Sequence, residues 1–108
     1  MTMTEKQLDN EILKTVASLR DWAQLVAYHT RNSYGSAHGF PDWVFAGAGG
    51  IMYRECKTQT GTLRPDQSLW RDILLSQGAD WALWRPDDYA SGRVNREICK
   101  IAGLNPGR

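Results

Sequence analysis

Apolar residues fall at Leu8, Ile12, Val16 and Leu19, with spacings of 4, 4 and 3. That is one stripe of a 3.6-residue period, and it predicts a helix from Thr4 to about Leu19. Thr2, followed three residues later by Glu5, predicts a capping box at its start. Leu25–Tyr28 reads as a short strand, and the polar stretch from Thr30 to Gly39 as a loop. Trp43–Ala46 and Ile51–Cys56 are β-rich runs on either side of Gly47-Ala48-Gly49-Gly50, which predicts a hairpin. Side chains alternate along a strand, so Trp43 and Phe45 point one way and Val44 and Ala46 the other. Both faces are apolar, so helices are expected on both sides of the sheet. Thr58–Leu63 reads as a loop. Pro65 suits the first position of a helix reaching about Gln77, with Leu69, Trp70, Ile73 and Leu74 apolar and Gly78 as its stop. Trp81–Trp84 is a fourth strand. Pro86, Asp87 and Asp88 lead into a weaker helix near Arg93–Ala102. Helix, three strands, helix, strand, helix is the order of one α/β domain with a mixed sheet.

Composition narrows the class. A chain of 108 residues suits one domain, with no room for separate cofactor and substrate domains. Apolar residues at 42% and charged residues at 23% are ordinary for a globular protein, which speaks against disorder and fibrous repeats. A net charge of +1 argues against a purely electrostatic, histone-like DNA binder. The charge is uneven, however. Residues 1–21 carry one excess negative charge and residues 85–108 two excess positive charges. The positive end suits either a solvated tail or a phosphate-contacting surface. Cys56 and Cys99 are far apart and form no CxxC pair, so neither a zinc knuckle nor a disulfide framework is expected, and a reducing compartment is the default. The opening MTMTEKQLDNE is polar, unlike a signal peptide. No apolar run approaches the roughly 18 residues needed to cross a bilayer. A soluble, cytoplasmic protein with no membrane partner is expected.

The hairpin register carries the chemistry. A turn centred on Ala48 and Gly49 opposes Asp42 to Glu55 on neighbouring strands, with Cβ atoms roughly 4.5–5.5 Å apart. Two opposed carboxylates repel unless something compensates, and a divalent cation is the simplest compensation. Two carboxylates, a backbone carbonyl and waters suit Mg²⁺ or Mn²⁺. Lys57 lies two residues beyond Glu55 and points to the same face. There it can stabilise charge developing on a phosphate or help activate a water; the plainer alternative is a salt bridge that neutralises the pair. Trp43, Trp70, Trp81 and Trp84 lie in apolar runs and suit core packing better than base stacking, and Trp22 has no assignment. The GAGG stretch lacks the GK[ST] ending of a phosphate loop and is a turn. His29 and His38 lack suitably spaced partners for zinc.

Pro41-Asp42, then Glu55-Cys56-Lys57 after a hairpin, resembles the PD-(D/E)xK nuclease signature. His29 and Thr30, the Ser-containing loop, Gly39-Phe40-Pro41-Asp42, Glu55-Cys56-Lys57, Gly61, Gln67 and Arg85-Pro86-Asp87 fall in the order of the VRR-NUC group of that superfamily. The chain is similar to a stand-alone, phage- or bacterial-type VRR-NUC domain over roughly residues 4–90. Residues from about 91 to 108 form a C-terminal extension with no mapped motif. The resemblance implies a restriction-endonuclease-like αβββαβ core, with a mixed central sheet flanked by helices. It places metal ligands at Asp42, Glu55 and the Cys56 carbonyl, and an acidic residue near the first helix start at Glu5, a further candidate ligand. It makes Asp42, Glu55, Lys57 and Gln67 the catalytic set. His29, Arg31, Ser33 and Ser36 are candidates for DNA contact. Glu5 and Gln67 also have plain explanations as helix-start residues.

The expected activity is metal-dependent hydrolysis of DNA phosphodiester bonds with Mg²⁺ or Mn²⁺. Branched DNA is the preferred substrate, as for Holliday-junction resolvases, and a twofold homodimer would present two sites. One alternative is a flap or nicking nuclease of a phage replication or packaging system. Another is a non-catalytic DNA-binding or assembly module on the same fold.

Overall fold

The computed structural model describes residues 3–30 and 37–104. Helix α1 (Glu5–Leu19) leads into strands β1 (Leu25–His29), β2 (Trp43–Gly47) and β3 (Gly50–Cys56). Helix α2 (Pro65–Ser76), strand β4 (Trp81–Trp84), and helices α3 (Pro86–Ala90) and α4 (Arg93–Ile101) follow. The sheet order is β1-β2-β3-β4. The first three strands are antiparallel neighbours, and β4 runs parallel to β3. The domain is therefore an α/β fold with a four-stranded mixed sheet.

Helix α1 buries the expected stripe Leu8, Ile12, Val16 and Leu19. Its start is two residues later than the Thr2–Glu5 spacing predicts. Thr4 is the cap: its hydroxyl accepts the Gln7 backbone N–H at 3.1 Å, and the Gln7 side chain accepts the Thr4 N–H at 2.8 Å. Thr-x-x-Gln makes the same reciprocal pair of bonds as the capping box read two residues earlier. Glu5 is thereby freed from the reciprocal capping bond.

The hairpin register is the predicted one: Trp43 faces Arg54, Val44 faces Tyr53 and Gly47 faces Gly50. The turn tucks beneath the end of α4, where Gly49 N–H donates to the Ile101 carbonyl at 2.8 Å. A Cβ on Gly49 would run into the Lys100 carbonyl, so a glycine is needed for this close approach.

One face of the sheet carries the core. Trp43, Phe45, Met52, Cys56 and Trp84 are buried there with α1 and with Val94, Ile98 and Ile101 of α4. Helices lie on both faces, as expected, but the second is covered only in part: Glu55, which alternates away from Met52 and Cys56, is bonded there by Gln67 of α2. On the opposite face Val26, Tyr28 and Ile51 are more than half exposed. Helix α2 packs by β4 and leaves Leu69 and Ile73 exposed. The apolar residues at strand positions therefore signal strand propensity there, not burial.

A polar clamp fastens α4 to β3. Arg54 is 3% exposed, and it pairs with Glu97 and Asp80, each at 3.0 Å. Glu97 also accepts the Trp84 indole N–H at 2.8 Å and the Arg93 guanidinium at 2.7 Å. Trp43 and Trp84 are buried as expected, whereas Trp70 and Trp81 are half-buried. Trp22 is exposed and donates to the Ser18 carbonyl. No helix among the described residues is long and apolar enough to cross a membrane.

Candidate functional site

The ends of β2 and β3 bring Asp42 and Glu55 together. Asp42 precedes the last ladder pair, Trp43 with Arg54, so it stands beside Glu55 as the register requires. Its main chain is held by β1: Thr30 N–H donates to the Asp42 carbonyl at 2.8 Å, and the Thr30 hydroxyl to the Pro41 carbonyl at 3.0 Å. Its carboxylate reaches across and accepts the Cys56 backbone N–H at 2.8 Å. Glu55 is only 2% exposed and shares a side-chain hydrogen bond with Asp42. Burial and then the Asp42 charge push the Glu55 carboxyl well above the ordinary range, against the pull of Lys57. The pair therefore holds a proton that a cation would displace.

Gln67 completes the arrangement from α2. Its Oε1 accepts the Arg64 N–H at 2.9 Å, and its Nε2 donates to Glu55 Oε2 at 3.0 Å. Its capping role and its site role are thus the same residue using its two ends. Lys57 is buried beside this group. It forms no ion pair within 4.0 Å with a described carboxylate, so it is not the simple neutralising salt bridge. Its backbone N–H donates to the Trp84 carbonyl at 3.0 Å, which extends the β3–β4 pairing to the motif lysine. The loop beyond it is held by Arg85, whose Nη1 donates to the carbonyls of Thr58, Gln59 and Gly61 at 2.7, 3.2 and 2.8 Å.

Glu5, in the first turn of α1, lies within electrostatic range of Lys57, Asp42 and Asp9. Desolvation raises its pKa; Lys57 pulls it down, and Asp42 and Asp9 push it up. His29 ends β1, stacked on Trp43 with ring centroids 4.3 Å apart. It is beside the site, across from Trp43 in the ladder. Arg31, Ser33 and Ser36 lie outside the described residues.

Asp9 was not among the residues expected here. It binds His29 and Trp43 from α1. Its position four residues after Glu5, on the same helix face, is the signal that points to it. Arg85 was named in the motif order without a role, and the fold shows that its guanidinium folds back on the loop after Lys57.

Two carboxylates and the Cys56 carbonyl form a hard oxygen set, and a carboxylate pair sharing a proton is chemically fitted to a divalent cation. Among the described residues no group of three His, Cys, Asp or Glu side chains gathers as a metal site, so the carbonyl and waters are needed to complete one. A cavity of about 700 Å³ lies elsewhere, between α1, α3 and Gln59, and none of these residues lines it. Comparison with protein-family models, curated proteins and solved structures finds no match.

Proposed function

We propose that this protein is a metal-dependent endonuclease of DNA, with a restriction-endonuclease-like core of the VRR-NUC kind. The observation that carries the reading is buried Glu55 paired with half-buried Asp42, with Lys57 beside them, in the order of the PD-(D/E)xK signature. Asp42, Glu55 and the Cys56 carbonyl would hold Mg²⁺ or Mn²⁺. When bound, such a cation supplies positive charge for the phosphate and acidifies a water for attack.

The chain's own residues do the rest. Gln67 orients Glu55 by donating to one carboxylate oxygen. The Cys56 N–H fixes the Asp42 carboxylate. Lys57, without a close anionic partner among the described residues, is available to balance the negative charge that grows on the phosphate. Glu5 stands at the mouth, and His29 borders it as a candidate contact to the DNA backbone.

The preferred substrate is branched DNA, and the working unit is a twofold homodimer. The open sheet face at Val26, Tyr28 and Ile51 is apolar surface of the kind that such contacts use. The test is incubation with a four-way junction, a flap and a linear duplex, each with Mg²⁺ or with EDTA. Cleavage that requires Mg²⁺ and disappears in Asp42→Ala is expected. No metal-dependent cleavage of any of the three would sink the enzyme reading. Sedimentation at micromolar concentration reads the dimer.

A further inference from the structure

Asp9 sits one helical turn beyond Glu5. Its Oδ1 accepts the Trp43 indole N–H at 3.0 Å. Its Oδ2 lies 3.3 Å from His29 Nε2. The buried Cys56 thiol is close enough for the Asp9 charge to act on it.

These residues belong to three strands. His29 ends β1, Trp43 begins β2 and Cys56 ends β3. The His29 and Trp43 rings are parallel to within 12°, so they form one stacked unit. Trp43 directly follows Asp42. Cys56 directly follows Glu55 and owns the carbonyl assigned to the metal. A single carboxylate thus ties α1 to the ends of β1 and β2 that border the site.

We propose that Asp9 is a positioning residue of the candidate metal centre: by holding His29 and Trp43 against α1 it fixes the spacing of Asp42, Glu55 and the Cys56 carbonyl. The proposal rests on the metal-dependent reading above. A carboxylate is needed because both of its oxygens are used. An amide would leave one oxygen and turn its NH₂ against a donor. In metal sites, loss of an outer hydrogen-bonding partner typically weakens metal binding about 10–100-fold.

The test is Mn²⁺ binding to the full chain, followed by electron paramagnetic resonance of the free ion, with metal-free thermal unfolding of the same samples. Asp9→Asn is expected to weaken Mn²⁺ binding about 10-fold or more, and Asp9→Glu to recover part of the loss. Ile12→Val, one turn further along α1 with a buried side chain, is the structural control. It is expected to lower Tm and leave Mn²⁺ binding unchanged. If Asp9→Asn does not fold, Trp43→Phe keeps the aromatic ring and removes the indole donor to Asp9; a loss of a few fold supports the proposal, and unchanged binding overturns it. Parental affinity in Asp9→Asn also overturns it, as does an equal loss of affinity in Ile12→Val. A parent chain that binds no Mn²⁺ refutes the metal reading, and the role of Asp9 falls with it. A parent that binds beside an unaffected Asp9→Asn refutes only Asp9.

Discussion

Gln67 Nε2 donates to Glu55 Oε2 at 3.0 Å in a buried setting. The amide has no freedom to turn, because its oxygen is committed to the Arg64 N–H. Helix α2 therefore sets the orientation of a carboxylate on β3. Gln67→Leu removes the donor and leaves a buried carboxylate oxygen unsatisfied, which costs about 1–3 kcal/mol. Mn²⁺ affinity is expected to fall about 10–100-fold. Gln67→Glu is expected to be worse for folding at neutral pH, since it places a third carboxyl group against the pair. Titration calorimetry and urea unfolding of both variants check this.

The paired carboxylates also make a prediction about pH. Glu55 is pushed up to about 9, by burial first and then by Asp42. In the unfolded chain it ionises near the ordinary value of 4.5. Between those values the folded state holds the extra proton. Its stabilising contribution is full below 4.5 and is lost as pH rises toward 9. Glu55→Gln removes this dependence. Without metal at pH 8 the variant is expected to be more stable than the parent by about 1 kcal/mol or more, a functional residue being replaced at a gain in stability. Mn²⁺ should raise the parent's Tm more at pH 8 than at pH 6, because binding must expel the proton, and should not raise that of Glu55→Gln.

Much of this was legible in the chain because it depends on short-range geometry. The α1 stripe needs only a 3.6-residue period, and the opposition of Asp42 and Glu55 needs only a symmetric turn at Ala48 and Gly49. Tertiary partners were not legible. Val26 and Ile51 read as strand residues whether or not a helix covers them, so the open sheet face could not be seen. The spacing of Asp9 from Glu5 places it on the same helix face, but its partners His29 and Trp43 come from β1 and β2 and show only in the fold. Thr2 and Thr4 each have a Glu or Gln three residues further on, so the sequence alone does not choose between the two caps. The restriction-endonuclease-like assignment itself comes from the motif resemblance and remains to be tested by activity.

The Arg54–Glu97 clamp should govern the acid limit of stability. Burial raises the Glu97 carboxyl, but hydrogen bonds from Arg93 and Trp84 and the Arg54 charge outweigh it, and the net shift is downward. A lowered carboxyl stabilises the fold above its unfolded value of 4.5 and loses that contribution as pH falls through its folded value. Glu97→Gln is expected to cost about 2 kcal/mol at pH 7, since buried Arg54 keeps only Asp80 as a charged partner. The gap between variant and parent should close as pH falls below 4. Thermal unfolding from pH 7 to pH 3 measures both limbs.

The last prediction concerns a residue with no functional group. Gly39 has φ +84, and a Cβ there would run into the Asp66 main chain, with the Gln67 nitrogen 2.9 Å away. The loop leading to Pro41-Asp42 thus touches the first turn of α2 without a side chain between them. Gly39→Ala must both adopt a strained left-handed conformation and force α2 outward. A loss of about 1–3 kcal/mol is expected. Because Gln67 sits at the contact, its bond to Glu55 should lengthen. The Gln67 side-chain amide resonances would then shift toward free values, and Mn²⁺ binding would weaken. Gly78→Ala is the control. It has a similar φ of +80 but nothing within 4 Å of the added Cβ. It should share the conformational cost and leave Gln67 and the metal affinity unchanged. Equal Mn²⁺ affinity in the two variants would show that the loop's approach to α2 does not set the Glu55 geometry.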